Sequence, residues 1–143
     1  MTELERFEVW SGRPSSLVDL HTGAAADVAV AETYLLYPNP YPKPGHLKKR
    51  FHGHPCLPSL LAAAGGRLTL RASWRTYLDE FLAATRAAAA AGDGAAARLL
   101  AAGAAGPAAL AAPRPADALT AFEAKYAAAG QPTFELVLGR RAR

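Results

Sequence analysis

The loop from Tyr37 to Lys43 holds the residue types best suited to chemistry in this sequence. It reads Tyr-Pro-Asn-Pro-Tyr-Pro-Lys, and positions 43–50 contain four cations. Proline fixes φ and donates no backbone hydrogen bond, so this density of prolines predicts a rigid loop without regular structure. An aromatic ring can stack on a flat base, an amide can hydrogen-bond to its edge, and cations can bind phosphate. The pattern therefore favours a site for a base attached to a phosphate over a solvated, basic surface turn.

A second cluster, His52-Gly53-His54-Pro55-Cys56, offers three metal-binding side chains in five residues. Such tight spacing rarely lets three side chains reach one tetrahedral ion, and the sequence contains no second ligand cluster. We therefore predict no metal site.

The elements that must position the loop alternate between strand and helix. The run Thr33–Tyr37 is apolar and aromatic, which is typical of a strand buried on both faces, and it ends where the proline loop begins. Trp74, Tyr77 and Phe81 have helical spacing, so core packing is a better interpretation of their rings than base stacking. This alternation predicts a parallel sheet that binds ligands beyond the C-terminal ends of its strands.

The other predicted elements are three strands and two helices. The strands are at Phe7–Trp10, around Leu68 and Leu70, and at Thr133–Leu138. One helix runs from Leu57 to Ala64, and the other is opened by a Thr120–Glu123 capping box and closed by Gly130.

Residues 83–115 are a low-complexity stretch of mostly alanine and glycine. Alanine favours helix, but a helix without large side chains gains little from docking. We therefore expect a loosely packed helical insertion or a disordered loop there, without a chemical role. A chain of 143 residues has room for one core of ordinary size, so we predict a single domain over residues 1–143.

The composition indicates a basic, cytoplasmic protein. A net charge of +4 and a pI near 9.5 suit a polyanionic partner, because Lys and Arg release counterions from phosphates. Cys56 is the only cysteine, so no intramolecular disulfide can form. The first residues lack a cationic region followed by an apolar one, and no run of large apolar residues reaches membrane-spanning length. We therefore expect neither secretion nor membrane insertion.

Three motifs resemble, in order, those of a known family. The segment Leu35–Lys43 resembles the Pro-Asp-Pro-Trp-Pro-Lys loop of bacterial tRNA (guanine-N7)-methyltransferases. Gly65–Trp74 is similar to the family's strand and Thr-Asp-Trp turn, and Thr120–Glu123 is similar to its Thr-Lys-Phe-Glu motif. The resemblance extends from Phe7 to Leu138, with the alanine-rich stretch as an insertion. It implies an α/β fold, namely an incomplete Rossmann-like S-adenosylmethionine-dependent methyltransferase sheet with a final antiparallel strand.

The resemblance also implies roles for individual residues. Asn39 occupies the position of the family's catalytic aspartate, and Tyr37 and Asn39 are implied to contact the cofactor. Ser73 stands where the family has a substrate-binding aspartate, so both acidic positions are neutral here. A carboxylate accepts strongly from the N1–H and N2 groups of guanine, and its loss puts specificity for that base in doubt. For Thr120 and Glu123 a capping box is an equally good interpretation. Contacts with tRNA are implied for Lys43, Lys48, Lys49, Arg50, Ser73, Thr120, Phe122 and Glu123.

Two features of the family have no counterpart in this sequence. Family members open with a strand and a glycine-rich turn for the methionine end of the cofactor, followed by an acidic residue for its ribose. The strand predicted at Phe7–Trp10 corresponds to the family's third strand. We therefore expect a truncated tRNA guanine-N7 methyltransferase, with tRNA rather than DNA as partner and S-adenosylmethionine as cofactor of the complete domain. The alternatives are a catalytically inactive RNA-binding remnant and one half of a split enzyme, completed by a partner chain or a missing N-terminal segment.

Overall fold

A four-stranded mixed sheet organises the part of the chain that the computed structural model describes, residues 30–110 and 118–140. The strands are β1 (Glu32–Leu36), β2 (Arg67–Ala72), β3 (Ala108–Ala109) and β4 (Phe134–Gly139). They lie in the order β1-β2-β4-β3. β1 and β2 are parallel, whereas β4 is antiparallel to β2 and to β3. The predicted α/β class is confirmed, with one parallel pair in a mixed sheet.

Helices connect these strands close to where the sequence predicts them. They are a 3-10 helix (Pro44–Lys49), α1 (Leu57–Ala63), α2 (Arg75–Ala90), α3 (Gly94–Ala102) and α4 (Ala121–Ala128). The helix predicted from Leu57 forms as α1, and the capping box at Thr120 opens α4, where the threonine hydroxyl accepts from the Glu123 amide at 3.1 Å. Gly130, at φ 66°, follows the end of α4, as expected of a glycine in that position.

β2 is the best-buried strand because it has a neighbour on each side. Leu68, Thr69 and Leu70 are all buried. Leu70 lies opposite Leu35 of β1 and Leu136 of β4, so three leucines form a row across the sheet. Burial of a leucine side chain stabilises a fold by about 1.5–3 kcal/mol, so this row holds the strands in register.

The helical spacing in α2 places large side chains in the core, as predicted. Tyr77, Leu78 and Phe81 are almost fully buried, and α2 contacts β2 and β4. Trp74 differs from the expectation, because it precedes the helix and is only half-buried. Its ring therefore belongs to the surface of the fold as well as to its core.

The alanine-rich stretch is packed more closely than the sequence predicts. α2 extends to Ala90, and the Asp93 side chain then caps α3 by accepting from the Ala96 amide at 2.9 Å. Ala96 and Leu99 are completely buried, and α3 contacts α1, α2 and β4. Small alanine side chains leave little space between packed helices, so α3 joins the core through Ala96 and Leu99. Loose packing was the wrong expectation for this part of the stretch.

Two of the sequence predictions lie outside the described residues. These are the strand at Phe7–Trp10 and residues 111–115, at the end of the alanine-rich stretch. In the parts of the chain that are described, no helix combines the length and the apolar character needed to cross a membrane.

Candidate functional site

A cleft of about 180 Å³ lies beyond the C-terminal ends of the parallel strands β1 and β2. Tyr37 directly follows β1 and Ser73 directly follows β2. Residues 37–40, residues 72–74 and Phe122 line the cleft, together with Tyr77 of α2. Ligands of α/β proteins bind at this end of parallel strands. Tyr37, Asn39, Ser73 and Phe122, which the sequence analysis singled out in three distant motifs, therefore share one cleft.

The loop on one side of the cleft is bounded by two tyrosines in an unfavourable backbone conformation. Tyr37 has φ 50° and Tyr41 has φ 42°, values that cost a residue with a Cβ atom about 1–3 kcal/mol each. Hydrogen bonds hold both positions. The Tyr37 amide donates to the Arg71 carbonyl oxygen at 2.8 Å, and the Tyr41 amide donates to Asn39 Oδ1 at 3.2 Å. The prolines and these bonds together define the shape of the loop.

Arg50 fixes this loop from behind, which corrects its expected role on tRNA phosphates. Its side chain is only 3% exposed. The Nε and Nη2 atoms donate to the Tyr41 carbonyl oxygen at 3.1 and 2.9 Å, and Nη1 forms an ion pair with Glu80 at 2.6 Å. The guanidinium also lies 5.2 Å from the ring of Trp74. A buried guanidinium with these partners is not available to a phosphate, so Arg50 joins the loop to the wall of the cleft.

The histidines near this loop have structural contacts. His52 Nε2 lies 2.8 Å from Glu80 Oε2, and its ring meets the edge of Tyr77 at 4.8 Å between centroids. His54 Nδ1 accepts from the Cys56 amide at 3.1 Å. Across residues 30–110 and 118–140, no three His, Cys, Asp or Glu side chains are placed to hold a metal ion.

Burial and hydrogen bonding decide the charges of the His52–Glu80 pair. Burial lowers the pKa of His52, and the hydrogen bond to Glu80 offsets this only in part. For Glu80, burial favours the protonated acid, but hydrogen bonds from His52 and Arg50 outweigh burial and lower its pKa. A neutral His52 therefore donates through Nε2 to an ionised Glu80. This tautomer leaves Nδ1 without a hydrogen at a buried position, where it has no hydrogen-bond partner among the described residues.

A second network is centred on Glu123, next to Tyr37, which lines the cleft. The Glu123 side chain is 0% exposed. Arg71 Nη1 donates to its two oxygens at 2.9 and 3.1 Å, the Leu119 amide donates to Oε2 at 2.8 Å, and the Tyr37 hydroxyl donates to Oε1. Arg71 Nε also donates to Glu135 at 2.9 Å. The network joins the end of β1 to β2, β4 and α4.

These contacts correct the implied roles of Glu123 and Thr120 on the substrate. A fully buried carboxylate with this many donors has no position left for a ligand, so Glu123 holds Tyr37 and α4 in place. Burial favours its protonated form, but the hydrogen bonds from Tyr37, Leu119 and Arg71 outweigh burial and lower its pKa. The hydroxyl of Thr120 is engaged as the cap of α4, so the structural interpretation of the pair is the one observed.

Aromatic rings form the wall of the cleft next to this network. The Tyr37 and Phe122 ring centroids lie 4.8 Å apart, and Phe122 stacks on Tyr126 at 4.5 Å. Phe122 is 41% exposed although it contacts two rings. It therefore presents part of its surface to the cleft while its position is set by its neighbours.

A cationic surface is formed by the residues that follow the cleft-lining loop in the chain. Lys43, Lys48 and Lys49 are exposed, and the segment from residue 37 to residue 56 contains no acidic residue. The Nζ atom of Lys49 lies 5.7 Å from the centroid of the Tyr41 ring, which ties the 3-10 helix to the loop. Exposed lysines without acidic neighbours in the chain are suited to phosphate.

Sequence reasoning missed two residues that shape the site. Arg71 is one of the polar residues that alternate with leucines in β2, and Glu80 lies in α2 without a local cation partner in the sequence. Each forms an ion pair with a residue at least thirty positions away, so local spacing contained no signal for the pairing.

Comparisons with protein-family models, with curated proteins and with solved structures find no match to this chain. The family resemblance therefore depends on the three sequence motifs alone.

Proposed function

We propose that this chain provides the substrate-binding side of an S-adenosylmethionine-dependent tRNA guanine-N7 methyltransferase-like domain. The cleft receives a guanine base, and the exposed lysines that follow its lining loop bind phosphates of the same RNA. The observation that carries this proposal is the convergence of the three family-like motifs in one cleft, through residues 37–40, residues 72–74 and Phe122. The mixed sheet supports it, because the resemblance implies a parallel pair followed by a final antiparallel strand.

The lining of the cleft suits a flat, neutral ring. Pro38, Pro40 and Trp74 offer apolar surface against which a base can rest, and Asn39 and Ser73 offer polar groups for its edge. None of the described residues that line the cleft carries a charge. A base therefore enters without displacing an ion pair.

Methylation at guanine N7 depends on positioning more than on proton transfer. N7 already has a lone pair, so no group has to remove a proton before it attacks. The replacement of the family's aspartate by Asn39 therefore does not remove an essential proton acceptor. The task of the cleft is to hold N7 in the direction of attack, and such positioning is a large part of many rate enhancements.

The described residues do not fit a whole S-adenosylmethionine molecule. The cleft measures about 180 Å³, whereas ligand pockets are commonly about 300–1,000 Å³. None of its described lining residues is acidic, although the ribose of the cofactor is bound by an acid in the family. The hydroxyl of Tyr37, which the resemblance places against the cofactor, is bound to Glu123. S-adenosylmethionine would supply an electrophilic methyl group, and in this proposal the groups that hold it come from outside the described residues.

A binding experiment tests the contact with RNA. The triple variant Lys43→Ala, Lys48→Ala, Lys49→Ala should bind tRNA more weakly than the wild type, and the slope of log K against log salt should fall by about 2 to 3. Arg86→Ala, which removes an exposed cation from α2, is the matched control and should change little. Equal affinity and equal slope for the triple variant and the wild type would remove this surface from the proposal.

RNA binding without methyl transfer is a second candidate function, favoured by the small volume of the cleft. Incubation of the full chain with tRNA and methyl-labelled S-adenosylmethionine distinguishes the two. Labelled 7-methylguanine in the RNA supports the methyltransferase. If tRNA binds but is not labelled, the second candidate is supported. If tRNA neither binds nor becomes labelled, both candidate functions are wrong.

A further inference from the structure

The amide of Asn39 is held by a hydrogen bond to its oxygen. Its Oδ1 accepts from the Tyr41 amide at 3.2 Å. A backbone N–H can only donate, so the side-chain atom in front of it has to be the oxygen, which settles the orientation of the amide. Asn39 lines the cleft and is exposed. Oδ1 already accepts one hydrogen bond, whereas both hydrogens of the amino nitrogen Nδ2 lack a partner among the described residues, so Nδ2 is the group with the most hydrogen-bonding capacity left for a base.

We infer that the cleft recognises a purine by its O6 carbonyl oxygen and that Asn39 Nδ2 is the donor that sets this preference. The inference rests on the proposed role of the cleft as a base-binding site. Guanine and hypoxanthine carry an acceptor at position 6. Adenine carries an amino group at that position, which would place its N–H donors against those of Asn39 Nδ2 and leave both groups without an acceptor. Asn39 is thus a specificity-determining residue for bases with an O6 oxygen.

The opposite edge of guanine is poorly matched by this cleft. The N1–H and N2 groups need acceptors, and none of the described residues that line the cleft is a carboxylate. Glu123, the carboxylate nearest in the network, is 0% exposed and is engaged by Arg71, Tyr37 and Leu119. The hydroxyl of Ser73 offers a single weak acceptor. Recognition through O6 is therefore the better use of the groups present.

Recognition through O6 is also compatible with the proposed chemistry. O6 and N7 lie on the same edge of guanine. A donor bound to O6 orients that edge and leaves the lone pair of N7 free, whereas a donor bound to N7 would occupy the atom that has to attack. Asn39 can thus replace the family's aspartate as a positioning group without blocking N7.

Calorimetric titration of the full chain with four nucleoside 5′-monophosphates tests the inference. The bases are guanine, hypoxanthine, adenine and 2-aminopurine, of which the last keeps the N2 amine but lacks O6. We expect guanosine and inosine monophosphates to bind with similar affinity. The adenosine and 2-aminopurine compounds should bind about three- to tenfold more weakly, the effect of one neutral hydrogen bond.

Two variants assign the preference to the amide. Asn39→Asp removes the donor while keeping the shape, so the preference for inosine over 2-aminopurine should disappear, and guanosine should now bind better than inosine because a carboxylate accepts from the N1–H and N2 groups. Gln131→Glu, the same amide-to-acid change at an exposed position outside the cleft lining, is the matched control and should keep the wild-type order. Circular dichroism of each variant checks that the fold is retained.

The outcomes separate this inference from the function on which it rests. Equal binding of the guanosine and 2-aminopurine compounds with weaker binding of inosine would show that the N2 edge is recognised, and would overturn the inference while leaving the cleft as a base site. An unchanged order in Asn39→Asp would overturn it as well. If a folded chain binds none of the four nucleotides at millimolar concentration, both the inference and the proposed role of the cleft are wrong.

Discussion

The cleft and the alanine-rich helices are held together by different interactions. Around the cleft, the buried Arg50 forms an ion pair with the partly exposed Glu80, and the buried Glu123 forms one with Arg71. On the other side of the fold, α3 is anchored by completely buried apolar side chains, chiefly Leu99. One region depends on directed polar contacts, and the other depends on close apolar packing.

This difference indicates that polar contacts position the residues of the cleft, whereas apolar packing mainly stabilises the fold. A hydrogen-bonded network has one preferred geometry, so it can define the direction of a loop or ring. Apolar contacts tolerate changes of shape as long as volume is conserved. Changes at the polar networks should therefore affect ligand binding and stability together, whereas changes at α3 should affect stability alone.

Glu123→Gln should have the largest effect. It removes a buried charge that Arg71 and Tyr37 contact. Breaking a buried ion pair lowers the free energy of unfolding by about 3–5 kcal/mol. Because Arg71 keeps its contact with Glu135, we expect the free energy of unfolding to fall by about 3 kcal/mol, the lower end of that range. Urea denaturation measures this loss, and tRNA affinity should fall under conditions where the variant is still folded.

The exposed pair Arg75–Asp79, whose charged atoms are 3.6 Å apart, supplies a control for Glu123→Gln. Arg75→Ala should change the free energy of unfolding by about 0–1 kcal/mol, the usual contribution of an exposed pair. If Glu123→Gln costs no more than Arg75→Ala, the Glu123 network does not hold this side of the cleft.

Leu99→Ala tests the apolar side of the comparison. Leucine-to-alanine changes in a core cost about 2–5 kcal/mol of unfolding free energy, and we expect a loss in this range because Leu99 is completely buried. The tRNA affinity of the folded variant should equal that of the wild type. Leu100→Ala, at a half-buried neighbouring position, should cost less in the same denaturation assay. Loss of tRNA binding by folded Leu99→Ala would show that the two regions are coupled.

As the pH falls, protonation of His52 should be the first event to lower the free energy of unfolding. This is the smallest of the effects expected here. The pKa of His52 is lowered by burial from 6.5, so the unfolded chain binds a proton at a higher pH than the folded chain does. The stabilisation that neutral His52 contributes is therefore present above pH 6.5 and decreases as the pH drops below that value. Thermal unfolding of the wild type and of His52→Gln should show a flatter pH dependence for the variant between about pH 7 and pH 5.

A further loss at lower pH should be common to both proteins. The folded-state pKa values of Glu80 and Glu123 lie below 4.5, so their stabilisation is complete above that pH and is lost as the pH falls through the folded values. Identical curves for the wild type and His52→Gln above this region would show that His52 titrates alike in the folded and unfolded chains.

The elements around the site could be predicted because their signals are local. The apolar run before Tyr37 predicts β1, the spacing of Tyr77 and Phe81 predicts the buried face of α2, and the Thr120–Glu123 pattern predicts the start of α4. Apolar runs, helical spacing and capping are patterns among residues that lie close together in the sequence.

The roles of the charged residues could not be predicted in the same way. The cations at 48–50 form one run in the sequence, yet Lys48 and Lys49 are exposed whereas Arg50 is buried against Glu80. Glu123 fits a substrate motif and a capping box equally well in the sequence, and only the folded chain shows it buried with Arg71, Tyr37 and Leu119 as its donors.

By itself, the sequence determined the stiff proline loop, the strand before it, the helical faces and the surplus of positive charge, because backbone preference and periodicity are properties of neighbouring residues. The tertiary structure decided that the three motifs share one cleft, that α3 packs closely, and that Arg50 pairs with Glu80. The partner of a polar group depends on which atoms come within about 3 Å of it in the folded chain, and residues distant in sequence supply most of the partners around this cleft.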